Sequence, residues 1–314
     1  MQSMLSDKRV ECPAGLLNRA KQRSASVPTA IVNAGADLPM MSAKLAFEEG
    51  LIEPVLVGDC EAIRAIAKRL QWNITSLRLV AAESEQEAAQ RSAELARDGE
   101  VAALMKGDVH TDNLLKAVLK KDNGLRTGNR LSHVFYMTLA GSDESLCITD
   151  GAINVQPSLE DKIHITRNAI ALLHRLGNAQ PKVAVLSATE QASPAMQSSV
   201  DAAEIVARAR AGELFSEEPG AIVEGPFAFD NAVSREAADM KGMKSEVAGQ
   251  PDILVVPNIE AGNIAFKQMV YFMGACAAGI VLGAKVPITL TSRADPAAAR
   301  LASTALASLY ASAD

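Results

Sequence analysis

VAALMKGDVHTDNLLKAVLKK, residues 101–121, holds the reading on which the fold turns. VAAL runs into Met105 with no polar alternation, as expected of a strand covered on both faces. Lys106 and Gly107 then turn the chain. Beyond them Leu114, Leu115 and Val118 recur at helical spacing, with Thr111 or Asp112 placed to cap the helix. A buried strand, a tight turn and an amphipathic helix make up half of a βαβ unit.

The same pattern repeats outward in both directions. TAIVNAG (29–35), EPVLVGD (53–59) and LRLVAA (77–82) precede it; HVFYMTL (133–139), LCITDG (146–151), KVAVLSA (182–188), DILVVPN (252–258), GIVLGA (279–284) and PITLTS (287–292) follow. Helical stretches such as EAIRAIAKRL (61–70), SEQEAAQRSAELARDG (84–99) and LEDKIHITRNAIALLHRLG (159–177) lie between most of them. Strand alternating with helix implies an α/β fold with mostly parallel sheets, flanking helices and right-handed crossovers. A chain of 314 residues suits two lobes. The first is expected over 1–142 and 286–314 and the second over 143–285, since a terminal strand and helix cannot bury a core of their own and must return to the first lobe.

Composition narrows the function. Apolar residues make up 48% against 4% aromatics, so Ala, Val, Leu and Ile must fill the interior. A net charge of −6 argues against a nucleic-acid partner, which demands an excess of Lys and Arg. Cys12, Cys60, Cys147 and Cys276 lack zinc spacing and read as reduced thiols, two of them in the core. Residues 1–24 mix charge throughout without the apolar region of a secretory signal, and FMGACAAGIVLGA (272–284) is too short to span a bilayer. A cytoplasmic protein without membrane attachment is expected.

Ligands of open α/β sheets gather where strand ends lead into helices. Three loops fit. At Lys106-Gly107 an ammonium, free amides and a helix end could receive an anion, or Gly107 could simply turn the chain and Thr111 simply cap; His110 reads as structural. In DILVVPNIEAGNIAFKQMVYFMG (252–274), Asn263 and Lys267 are four apart and share a helix face, although Asn263 could be no more than a cap. In PITLTSRADPAAARLASTALA (287–307), Ser292 and Arg293 fall at a strand's carboxyl end, where a guanidinium offers a fork matched to phosphate; Asp295 before Pro296 is also ordinary capping chemistry. There is no GKS or GKT P-loop, no GxGxxG after a strand, no HExxH and no GxSxG, so ATP hydrolysis, hydride transfer, zinc proteolysis and α/β-hydrolase chemistry lose ground.

Residues 105–137, 148–170, GPFAFDNAV (225–233), 246–271 and PITLTSRAD (287–295) together resemble the phosphate acetyltransferase and phosphate butyryltransferase family, in the same order. The resemblance covers the chain from about residue 100 onward. It implies two lobes of an isocitrate dehydrogenase-like fold with an active site in the cleft between them, a homodimer, and no metal or nicotinamide cofactor. The implied reaction converts acyl-CoA and inorganic phosphate to acyl phosphate and free coenzyme A, reversibly and by direct transfer. In those terms Arg293 becomes the charge stabiliser and Ser292 a hydrogen-bond donor to the thiol or oxyanion. Lys116 contacts phosphate, and Thr111, Asn263 and Lys267 are candidate ligands of the acyl phosphate, beside Lys106 and Gly107. Acetyl-type members carry their catalytic carboxylate several residues past the Ser-Arg pair, where this chain reads AAAR (297–300). The base is then Asp295, the acid nearest that pair, or comes from another loop such as that of Asp150. ITDGAINVQPSLEDK (148–162) and SRAD (292–295) lean toward the butyryl branch. The alternatives are a metal- and NAD-dependent oxidative decarboxylase of similar architecture, and a two-lobe small-ligand binding protein.

Overall fold

The computed structural model describes residues 4–142, 144–292 and 294–311. They divide into two lobes. The first takes Arg9–Asn129 and the chain from Cys276 on; the second takes Arg130–Ala275 and the N-terminal residues through Lys8.

In the first lobe, α1 (Ala14–Lys21), β1 (Val27–Val32), α2 (Asp37–Glu48), β2 (Ile52–Gly58), α3 (Cys60–Arg69), β3 (Leu79–Ala81), α4 (Glu85–Arg97), β4 (Ala103–Lys106) and α5 (Thr111–Leu119) alternate as the sequence pattern demands. Polar residues start the helices locally. Asp59 accepts the Glu61 and Ala62 amides at α3, and Ser84 accepts the Glu87 amide at α4, interactions that typically contribute about 1 kcal/mol each. Strand β1 is flanked by β2 and β4, both parallel to it, and β2 carries β3 on its other side. Ile31, Leu56 and Leu104 are fully buried there, each contributing roughly 1.5–3 kcal/mol by burial.

The second lobe holds β5 (Ser132–Thr138), β6 (Ser145–Thr149), α6 (Leu159–Arg175), β7 (Lys182–Leu186), α7 (Gln197–Arg210), β8 (Ile222–Phe227), α8 (Phe229–Val233), α9 (Arg235–Met240), β9 (Ile253–Val255) and α10 (Ile259–Met273). Its strands follow the order β5-β6-β9-β7-β8, antiparallel at the β5–β6 hairpin and parallel elsewhere. A capping box between Ser158 and Asp161 opens α6.

The chain then returns to the first lobe as β10 (Cys276–Leu282), β11 (Ile288–Thr289) and α11 (Ala297–Ala311). Strand β11 lies parallel to β4 on one side and antiparallel to β10 on the other. Helix α11 is Ala-rich, which lets it lie close against β10, and Ser303 Oγ accepts the Gly279 amide at 2.9 Å. The lobe boundaries differ from 142/143 and 285/286. Hairpin pairing keeps β5 with β6 in the second lobe, and pairing with β11 keeps β10 in the first.

Strand β8 was absent from the sequence pattern because Gly225 and Pro226 interrupt it. An edge position tolerates both. Gly225 has φ +152°, and a Cβ there would stand 2.6 Å from the Val185 carbonyl oxygen.

Candidate active site

Strands β1, β4 and β11 run parallel, and their carboxyl ends open together on a first-lobe cavity of about 130 Å³. Lys106, Gly107 and Ser292 line it, with Ser42 from α2 and Arg300 and Thr304 from α11. Gly107 is required by close approach, since a Cβ would collide with the carbonyl oxygens of Val32 and Asn33. The backbone there is pinned by hydrogen bonds from Gly107 N–H to Val32 O (2.9 Å) and from Asp108 N–H to Asn33 O (3.0 Å). Gly107 thus lets the end of β4 lie against the end of β1 and sets Lys106 at the cavity wall.

The start of α5 differs from the sequence expectation. His110, not Thr111 or Asp112, occupies the cap position, and its side chain makes no capping bond. Glu85 acts in its place: it accepts the His110 amide at 2.8 Å, contacts His110 Nδ1 at 2.9 Å and accepts from Asn113 Nδ2 at 2.8 Å. These donors, the His110 amide foremost, hold the Glu85 carboxyl below its ordinary range. A carboxylate therefore already stands at the helix end where an anion was expected. Thr111 is the first helical residue, and Lys116 is exposed, more than a turn further on. Neither lines the cavity.

The turn after β11 is closed on itself. Asp295 Oδ2 accepts the Ser292 amide at 2.7 Å, and Ser292 Oγ accepts the Ala294 amide at 3.3 Å. Burial raises the proton affinity of Asp295, opposed by the Ser292 amide and by Arg300. A carboxyl so placed is a better proton acceptor near neutral pH than an ordinary one. Arg293 lies outside the described residues.

In the second lobe the cap of α10 is Asn258, whose side chain accepts the Ala261 amide, so Asn263 is not the cap. Asn263 Nδ2 instead donates to Gly151 O at 3.3 Å. That contact sits beside a backbone approach that only glycines permit, since a Cβ on Gly262 would lie 2.8 Å from Gly151 Cα. Lys267 is exposed, its ammonium 5.9 Å from the Phe266 ring centroid. Asp150 is 2% exposed. Its carboxylate accepts the amides of Ala152, Ile153 and Asn154 at 2.9, 3.1 and 3.3 Å and Asn154 Nδ2 at 2.6 Å. Those lone pairs are spent on folding its own loop. A second-lobe cavity of about 780 Å³ is lined by Ser158, Ser198 and the Lys162–Asp201 ion pair, which is buried and closed at 2.6 Å.

Sequence reasoning missed Arg300 and Ser42. A lone Arg inside an Ala-rich helix was a visible signal for the first; nothing marked the second. Among the described residues no group of three His, Cys, Asp or Glu side chains could hold a metal ion, and no helix is long and apolar enough to cross a membrane. The thiols of Cys147 and Cys276 are buried. Burial pushes that of Cys276 up to about 12.

Comparison with known proteins places these features in context. The family described as "Phosphate acetyl/butaryl transferase" matches residues 79–308. The chain is 46% identical over 283 residues to a phosphate acetyltransferase of Rickettsia felis, covering 90% of this chain and 80% of the relative. It is 38% identical over 299 residues to a phosphate butyryltransferase of Clostridium beijerinckii, covering 94% and 96%. Among solved structures, a branched-chain phosphotransacylase from Enterococcus faecalis superposes with a TM-score of 0.77 at 30% identity, covering 91% of this chain and all of that one.

Proposed function

The chain belongs to the phosphate acetyl/butyryl transferase family, and from that premise we propose that it moves a short acyl group between the sulfur of coenzyme A and inorganic phosphate, reversibly and by direct transfer. The observation that supports this most is the joint presence of Lys106, Gly107 and Ser292 on one small cavity at three parallel strand ends.

In the acyl-phosphate direction, a phosphate oxygen attacks the thioester carbonyl. The tetrahedral intermediate collapses by breaking the carbon–sulfur bond, and the thiolate leaves. In reverse, the thiol must lose its proton before attacking acyl phosphate; a free thiol near pKa 8.5 is mostly protonated at neutral pH, so a carboxylate base helps. We assign that base to Asp295. Asp150, the alternative, is saturated with donors. Ser292 donates a hydrogen bond to the thiol or the oxyanion. Arg293 steadies the charge of the transition state. Lys106 receives phosphate oxygens, and Gly107, whose own amide is bonded to Val32 O, serves by setting Lys106 at the cavity wall. Thr111, Lys116, Asn263 and Lys267 retain substrate-binding roles on family grounds alone.

The acyl group is acetyl to butyryl in size. One methylene discriminates by only about 1–3 kcal/mol, so activity with neighbouring chain lengths follows. A homodimer fits the exposed apolar face of α10, where Ile264, Tyr271 and Phe272, seven and eight residues apart, are 57, 55 and 47% exposed. Ile264→Asp should then give monomers in sedimentation velocity; a wild-type monomer would exclude the dimer. A cytoplasmic location suits the four free thiols.

The test is to incubate the protein with acetyl-, propionyl- or butyryl-CoA and phosphate while following free thiol. Phosphate-dependent release is expected. Absence of release with all three, or release that ignores phosphate, overturns the reading.

A further inference from the structure

Arg300 is the one charged residue of α11, and its position is informative. It is half-buried and reaches the first-lobe cavity. Its Nε donates to Ser42 Oγ at 2.9 Å, and its Nη1 donates to the main-chain oxygen of Asp295. A guanidinium carries five N–H donors, and among the described residues these bonds take two. Burial loosens its hold on its proton, with Asp295 opposing. Asp295 already supplies a counter-charge, so what an anion would add is partners for the remaining N–H donors.

The cavity contains a second cation, Lys106, several hydroxyl-bearing residues, Ser42 and Ser292 among them, and an apolar wall of Leu38, Pro39 and Met105; its one acidic lining residue is Asp108. At about 130 Å³ its size is that of a cavity holding one small molecule. That suits one tetrahedral anion and is too small for a nucleotide. Two cations beside a compact space fit a phosphoryl dianion, whose oxygens a planar guanidinium can bind in pairs.

We propose that Arg300 is a phosphate-binding residue, its guanidinium and the Lys106 ammonium together holding the phosphoryl group of inorganic phosphate or acyl phosphate. Ser42 is the positioning residue that fixes the guanidinium plane from α2. This deepens the acyltransfer reading and rests on it. The same chemistry could come from a phosphate of coenzyme A, which the experiment separates.

Steady-state kinetics would compare wild type with Arg300→Gln, Arg300→Lys and Ser42→Ala. Arg300→Gln should raise the KM for phosphate and for acyl phosphate about 10- to 100-fold and leave the KM for acyl-CoA unchanged. Arg300→Lys should recover part of the loss, and Ser42→Ala should raise the phosphate KM a few-fold. An unmoved phosphate KM overturns the proposal, as does an equal rise in both KM values with a lowered melting temperature, which would mark a brace of the fold. Comparing coenzyme A with its 3′-dephospho form decides the source. If Arg300→Gln erases the preference between them with phosphate KM intact, the cavity serves the larger substrate and the proposal fails. Should wild type release no thiol, the acyltransfer reading falls first, and equilibrium binding of inorganic phosphate to wild type and Arg300→Gln still decides whether Arg300 holds phosphate.

Discussion

Asp150 in the second lobe and Asp295 in the first both follow strand ends, yet the protein treats them oppositely. The Asp150 carboxylate accepts three amides and one side-chain NH2 and is almost fully buried. Asp295 accepts one amide from its own turn and is only partly covered. Many donors fix a carboxylate in place, whereas burial with few of them raises the proton affinity of Asp295. The first arrangement makes a structural anchor. The second leaves a carboxyl whose proton affinity lies above its ordinary value and whose lone pairs are not all committed.

The largest effect expected from this contrast is on stability. Asp150→Ala strands several buried donors at about 1–3 kcal/mol each, so a loss of at least about 3 kcal/mol should appear in denaturant unfolding. A variant as stable as wild type would mean the loop does not depend on that carboxylate.

Asp295→Asn should behave conversely. Its amide oxygen can still accept the Ser292 amide, so the melting temperature should change little. Thiol release should fall about 100-fold, or about 2.7 kcal/mol in barrier. The pH dependence follows from the sign of the shift. With its folded value raised, the carboxyl contributes stability below its unfolded value and loses it as pH climbs through the folded one. Activity, which needs the carboxylate, should rise through that same raised value. An acid limb above the ordinary carboxylate range, abolished in Asp295→Asn, is expected; a limb that persists in the variant would move the base elsewhere.

The smallest effect belongs to Glu85, the acidic partner of the α5 terminus. Its lowered proton affinity means a contribution present above its unfolded value and lost as pH falls through the folded one. Glu85→Gln should melt slightly below wild type at neutral pH, and the two should converge in acid. A gap that widens in acid would reverse the assignment.

Legibility tracked sequence distance. The turn at Lys106-Gly107 could be read because strand, turn and helix are contiguous. The Ser292–Asp295 bond is as local, but Asp295 before Pro296 read as a helix cap rather than as the acceptor of the Ser292 amide. Strand β8 could not, because Gly225 and Pro226 look like a loop until an edge position is known. The cap of α5 was misassigned because its acceptor, Glu85, is 25 residues upstream. The bond between Arg300 and Ser42 spans 258 residues, so no local pattern could announce it.

Apolar runs and helical spacing were enough to settle the α/β class and the mostly parallel strands, because periodicity is written residue by residue along the chain, and the family came from the resemblance of whole stretches in order. Which carboxylate is saturated, which cation reaches the cavity and what occupies a helix end were settled by folding. Those outcomes depend on burial and on donors brought from distant segments, and neither quantity exists until the chain has closed its loops and excluded water.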